Sequence, residues 1–145
     1  MLNFLVNFTH PEMAYVVHQC ARFCNDPRHS HEQAVKRILR YLISTRRNQR
    51  GEDCKIQGIL YRPDKNRSID TYIDASFAGE WNTSWSDDPL SVMSRNGYVI
   101  LYANCPIIWC SKLQTDIALF ATESKYIALL QSFRGVIPLN RNLAT

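Results

Sequence analysis

The chain has 145 residues, 46% of them hydrophobic, and a formal net charge of +4. That length suits one domain, or a small domain with a helical appendage, and the apolar content is enough to build a core. No uncharged apolar run of about 18 residues occurs, and the opening MLNFLVNF has neither basic residues before its apolar stretch nor a small-residue cleavage site after it. Membrane spanning and secretion are therefore not expected, and an intracellular protein, cytoplasmic or nuclear, is.

From the N-terminus, Thr9 with Glu12 reads as a capping box, and Met13, Val16, Val17, Cys20, Ala21 and Cys24 follow at helical spacing. Asn25-Asp26-Pro27 ends that helix. Ser30 with Gln33 repeats the capping signal, and Val35, Ile38, Leu39 and Leu42 form a second apolar stripe, with Lys36, Arg37 and Arg40 mostly off it. Between Arg28 and Arg50 the bases Arg28, Lys36, Arg37, Arg40, Arg46, Arg47 and Arg50 face the single acid Glu32. Such a stripe can track phosphates, or it can be a solvated helix face.

The polar stretch Arg46 to Lys55 reads as a linker. Ile56 to Arg62 and Ile69 to Phe77 have strand composition and are separated by the turn-prone Pro63-Asp64-Lys65-Asn66, which predicts a hairpin. Gly79 to Asn96 reads as a long loop, and Tyr98 to Tyr102 and Pro106 to Trp109 as strands joined through Ala103-Asn104-Cys105. The last element starts near Thr122 and carries Tyr126, Leu129, Leu130 and Phe133 at helical spacing, with Gly135 expected to interrupt it. Two helices, then consecutive strands, then a helix predict an α+β arrangement.

The five cysteines, Cys20, Cys24, Cys54, Cys105 and Cys110, are an odd number without framework spacing, which suits reduced thiols. His18, Cys20 and Cys24 are the nearest approach to a zinc site, but on a helix positions 18 and 20 point about 200° apart. In the strand Tyr72-Ile73-Asp74-Ala75-Ser76-Phe77, Asp74 shares a face with Asp70 and Tyr72 because strand side chains alternate. An acid there must be exposed or liganded.

Four segments in one order resemble copia-type retrotransposon Pol polyproteins. They are Pro11-Glu12-Met13-Ala14-Tyr15 with Val17; Ala34 to Leu42 (AVKRILRYL) followed by Gly58 to Tyr61; Tyr72 to Gly79 (YIDASFAG); and Ser94 to Tyr102 together with Ile107 to Leu129. They span nearly the whole chain. The resemblance implies a helical connection segment over residues 1–50, following the reverse transcriptase, and a partial ribonuclease H-like domain over 56–145, with a mixed sheet truncated at its C-terminal end. It also implies an RNA–DNA hybrid as substrate, the reverse transcriptase portion of the parent polyprotein as partner, and magnesium held by carboxylates on the first strand, the first helix and a later strand.

Magnesium needs that oxygen-rich cluster: two ions generate the attacking hydroxide and stabilise the leaving oxygen. Carried over residue by residue, Asp74 is the retained first acid and the one metal ligand left. The second acid of the family's D-A-D is Ser76 here. The position of the catalytic glutamate is Lys125, and Glu123, two residues earlier on a helix, is rotated about 200° from it and is not expected to substitute. Phe120 stands where the family has serine, and the third acid belongs to a segment beyond Thr145.

The expectation is a catalytically inactive Pol remnant, marginally stable and prone to associate through exposed core. Two alternatives stay open. One is a nucleic-acid-binding module using Arg37, Arg40 and Lys112. The other is an active magnesium-dependent endonuclease completed by a downstream segment.

Overall fold

The computed structural model describes residues 2–46, 59, 61–79 and 89–143. The chain divides into two units, Met1–Leu60 and Tyr61–Thr145.

In the first unit, α1 (Leu2–Phe8), α2 (Ala14–Arg22) and α3 (His29–Arg46) follow one another. Val6, Met13, Val17 and Ile38 form the buried cluster, packed about by Leu2, Ala14, Cys20 and Leu42. Of the apolar stripe expected in the first helical segment, Val16, Ala21 and Cys24 are exposed. Neither capping box forms. Thr9 lies at the end of α1, a helix the sequence did not announce, and its Oγ1 donates to the Leu5 carbonyl at 3.0 Å. Glu12 meets His10 Nδ1 at 2.9 Å instead. Ser30 lies inside α3, and the backward capping bond comes from His31, whose Nδ1 accepts the Arg28 N–H at 3.0 Å.

The second unit holds a three-stranded antiparallel sheet in the order β1 (Ile69–Ser76), β2 (Arg95–Tyr102), β3 (Cys105–Leu113), followed by α4 (Ala121–Leu143). The α+β class is as expected, but among the described residues the sheet is antiparallel rather than mixed: β1 and β2 pair antiparallel, and a short connection joins β2 to β3. Ala103 and Asn104 make a two-residue turn with φ of 50° and 64° between paired Tyr102 and Cys105, the positive-φ geometry that matches strand twist. The register slips once, between Ile100 and Leu101, opposite Pro106, which has no N–H for the ladder.

Of the strand expected over Ile56 to Arg62, most lies outside the described residues, and Ile59, Tyr61 and Arg62 carry no strand. β1 pairs with β2 throughout, with Asp74 opposite Gly97 and Ser76 opposite Arg95. β2 therefore begins within the stretch read as loop, since Arg95 and Asn96 have partners on both sides.

Helix α4 packs on β1 and β2. Its inward face is Ser124, Ala128 and Ser132, all fully buried, a run of small side chains that lets the helix approach the sheet closely. The serines are not left unsatisfied: Ser124 Oγ donates to the Ala121 carbonyl and Ser132 Oγ to the Leu129 carbonyl, each at 2.7 Å. Gly135 continues the face. A Cβ there would stand 3.0 Å from Ile100 Cδ1, so the glycine fits under the sheet and does not interrupt the helix. Pro138 also lies inside α4 and removes the N–H that the Arg134 carbonyl would accept.

The space between helix and sheet is unusually polar. Gln114 Nε2 donates to Asn96 Oδ1 and to the Ser124 carbonyl at 2.7 Å, and Asn96 Nδ2 donates to Gln131 Oε1 at 2.8 Å. These bonds tie the end of β3, the start of β2 and two turns of α4 together. Ile100 is the large apolar side chain wholly buried with them.

Because Ala128 is fully buried against the sheet, Ala128→Leu is expected to lower stability by about 1 to 3 kcal/mol through overpacking, read as a reduced urea midpoint.

Candidate functional site

Asp74 stands near the end of β1, and Lys125 one turn into α4. The close helix–sheet approach brings them to one open hollow of about 260 Å³, lined by Ile73, Asp74, Thr122, Lys125, Tyr126 and Leu129. The strand contributes adjacent residues, and the helix contributes positions 122, 125, 126 and 129, the i, i+3, i+4, i+7 spacing of one face. Both charged side chains are exposed, and neither forms a hydrogen bond or ion pair with another described residue. A carboxylate and an ammonium thus line the same hollow.

Glu123 does not line it. Its Oε2 accepts the Leu119 N–H at 2.6 Å, so the side chain folds back over the start of α4, where a negative charge also suits the helix dipole. Ser76 shares the exposed side of β1 with Asp74 two residues on, and offers a hydroxyl. Asp70, further back on that side, is held by Arg67 at 3.3 Å. Among the described residues no three His, Cys, Asp or Glu side chains converge on a point.

Neither Cys20 nor Cys110 is poised as a nucleophile. Burial pushes Cys110 up against the lowering effects of the Tyr98 hydroxyl and Lys112, and burial followed by Cys24 pushes Cys20 up. Tyr98, half-buried beside Cys110, is raised chiefly by burial as well.

A second feature lies on α3. His29, Gln33, Lys36, Arg37 and Arg40 line a hollow of about 310 Å³; all but Arg37, which is about 100° away, lie roughly opposite buried Ile38. Glu32 accepts from Lys36 Nζ at 2.6 Å and meets His29 Nδ1 at 3.3 Å. Arg37 and Arg40 have no acidic partner among the described residues. Lys112 is exposed on β3, opposite Asn96, and belongs to the other unit. The structure therefore brings Asp74 together with Lys125, and Arg37 with Arg40, and places Glu123 and Lys112 in neither group. Thr122, Tyr126 and Leu129 were legible in the sequence only as the start and apolar spacing of the last helix, not as lining of a site with Lys125.

The chain is 34% identical over 119 residues to the retrovirus-related Pol polyprotein from transposon RE1 of Arabidopsis thaliana, which takes in 82% of this chain and 7% of that protein. It is 33% identical over 135 residues to the corresponding polyprotein from transposon TNT 1-94 of Nicotiana tabacum, 93% of this chain and 9% of that protein. The chain thus spans less than a tenth of the length of these relatives. It is also 32% identical over 134 residues to secreted RxLR effector protein 161 of Plasmopara viticola, 92% of this chain and 82% of that one. It matches no protein-family model and no solved structure.

The capping role of Glu123 predicts that Glu123→Ala lowers stability by about 1 kcal/mol, seen as a lower thermal midpoint.

Proposed function

We propose, because the chain belongs to the retrovirus-related Pol polyproteins of copia-type transposons, that residues 56–145 are the opening part of a ribonuclease H-like domain whose metal-binding cluster is broken. Residues 1–50 are, on this reading, the helical connection following the reverse transcriptase. The parent activity is cleavage of RNA in an RNA–DNA hybrid, and this segment is a non-catalytic remnant of it. The order of three antiparallel strands and a helix supports the placement, with the first acid on the first strand of that unit and the expected glutamate position on its first helix.

One observation carries the reading: Asp74 and Lys125 share a hollow. A pair of magnesium ions needs several hard oxygen ligands around one point. The donor set here is one carboxylate, with threonine and tyrosine hydroxyls and a cation beside it, and it does not fit that pair. The Lys125 ammonium acts instead as a local counter-charge to Asp74 and opposes the approach of a divalent cation.

The test is cleavage of a labelled RNA–DNA hybrid in magnesium and in manganese. The native chain is expected to leave the hybrid intact. A Lys125→Glu chain fused to an intact downstream segment from a related element is expected to cut it. Cutting by the native chain defeats the inactive assignment, and silence of the fusion defeats the ribonuclease H-like one.

A second reading, a non-catalytic contact with nucleic acid, is favoured by the guanidinium groups of Arg37 and Arg40 on α3, which have no acidic partner among the described residues. Arginine forks suit phosphate oxygens, whereas Lys36 is paired with Glu32. Binding to duplex is expected to be weak and to fall steeply with salt. Arg37→Ala and Arg40→Ala should each reduce the slope of log affinity against log salt by about 1. Glu32→Gln should strengthen binding. Equal slopes for all variants, measured by fluorescence anisotropy, would remove α3 from the interface.

A further inference from the structure

The basic stripe on α3 runs into an aromatic side chain. Tyr41 follows Arg37 by four residues and adjoins Arg40 in sequence. Turning about 100° per residue, the helix sets Arg37 about 100° and Tyr41 about 60° from buried Ile38 on the same flank, with Arg40 farther round on that side. Residues four apart on a helix are surface neighbours, so tyrosine and arginine continue one another. Tyr41 is 44% exposed and stands outside the buried cluster of Val6, Met13, Val17 and Ile38. Its hydroxyl donates to Glu12 Oε1 at 3.4 Å, which tethers the tip of the side chain to the segment ahead of α2. That carboxylate is also met by His10 Nδ1 at 2.9 Å.

Glu32 lies elsewhere on the helix. It stands about 120° from Ile38 on the opposite flank, hence about 180° from Tyr41, and Lys36 engages it at 2.6 Å. The flank with Arg37, Arg40 and Tyr41 thus combines guanidinium forks with an exposed ring, the pairing by which single strands are held. We propose that α3 takes single-stranded nucleic acid in preference to duplex, with Arg37 and Arg40 on phosphates and Tyr41 stacked on a base. This rests on the reading of α3 as a nucleic-acid contact and adds the form of nucleic acid it takes.

The physical reason is access to the base. In a duplex the faces of the bases are covered by their neighbours in the stack, so a lone ring on a helix surface finds none to lie against. In a single strand a base turns out and lays its face on the ring. Duplex binding then has the charge contribution alone, whereas single-strand binding has that and a stack, worth about fivefold in affinity or more. Every base has a π-face, so the preference is for strand form and not for sequence. Stacking releases no counterions, so Tyr41 adds affinity without adding to its salt slope, the reverse of the arginines.

The experiment is fluorescence anisotropy of the full chain with a labelled mixed-sequence DNA strand of about 12 nucleotides, and with the same strand annealed to its complement. The native chain should bind the single strand about fivefold more tightly than the duplex, or better. Tyr41→Leu should remove that advantage, leaving duplex affinity and the single-strand salt slope unchanged. Tyr41→Trp, with a larger ring system, should strengthen single-strand binding and leave the duplex unaffected, and circular dichroism should show native helix content in both variants. Failure of the native chain to bind either form defeats the nucleic-acid reading of α3 and this inference with it. Equal binding of the two forms, a preference that persists in folded Tyr41→Leu, a salt slope that falls with the tyrosine, or no gain in Tyr41→Trp overturns this inference alone.

Discussion

The close approach of α4 to the sheet is the constraint on which the second unit depends. Ser124, Ala128, Ser132 and Gly135 have too little side chain to hold the helix off, and the two serines spend their hydroxyls on their own helix carbonyls. Burial of polar atoms is tolerable there because the partners are already supplied. Gln114 and Asn96 extend the arrangement by bonding strand ends to the helix. One amide oxygen, Gln114 Oε1, has no partner among the described residues, so the network is nearly but not wholly satisfied. The same approach determines what lies on either side: Lys125 comes to the hollow with Asp74, and the larger apolar residues of α4 are turned outward.

That geometry shapes the electrostatics of the hollow. A site that collects divalent cations concentrates negative charge, whereas here one carboxylate is offset by one ammonium. Glu123 is close in sequence, yet its carboxylate is committed to the Leu119 amide and lies on a different side of the helix. Two residues of separation on a helix are enough to divide a structural carboxylate from a metal ligand. On α3 the logic is reversed: His29, Lys36, Arg37 and Arg40 line one hollow, and Glu32 pairs with Lys36, leaving Arg37 and Arg40 to dominate.

Family membership and the local chemistry of this segment point in different directions. This chain spans less than a tenth of the length of the Pol relatives from RE1 and TNT 1-94. On the proposed reading, its three strands and helix keep a ribonuclease H-like order, while the side chains that the chemistry requires have changed. Loss of activity on this view resides in an identifiable position, Lys125, and does not require loss of the fold.

The sequence by itself determined the α+β class, the strand at Asp74, the hairpin around Ala103 and Asn104, and the last helix, because alternation, turn residues and helical spacing are local signals. Asp74, Lys125, Arg37 and Arg40 were legible as residues of interest for the same reason, aided by the order of the motifs. Local signals failed where long-range packing won. Thr9 and Ser30 had the right neighbours for capping boxes but ended up inside or at the end of helices, and Gly135 was accommodated by contact with Ile100. Which face of α4 would be buried was decided only by tertiary structure. The sequence marks Tyr126, Leu129, Leu130 and Phe133 as the apolar spacing of that helix, but the small residues Ser124, Ala128 and Ser132 face the sheet and Tyr126, Leu130 and Phe133 stay exposed, since a polar network and a close helix–sheet approach leave no room for them.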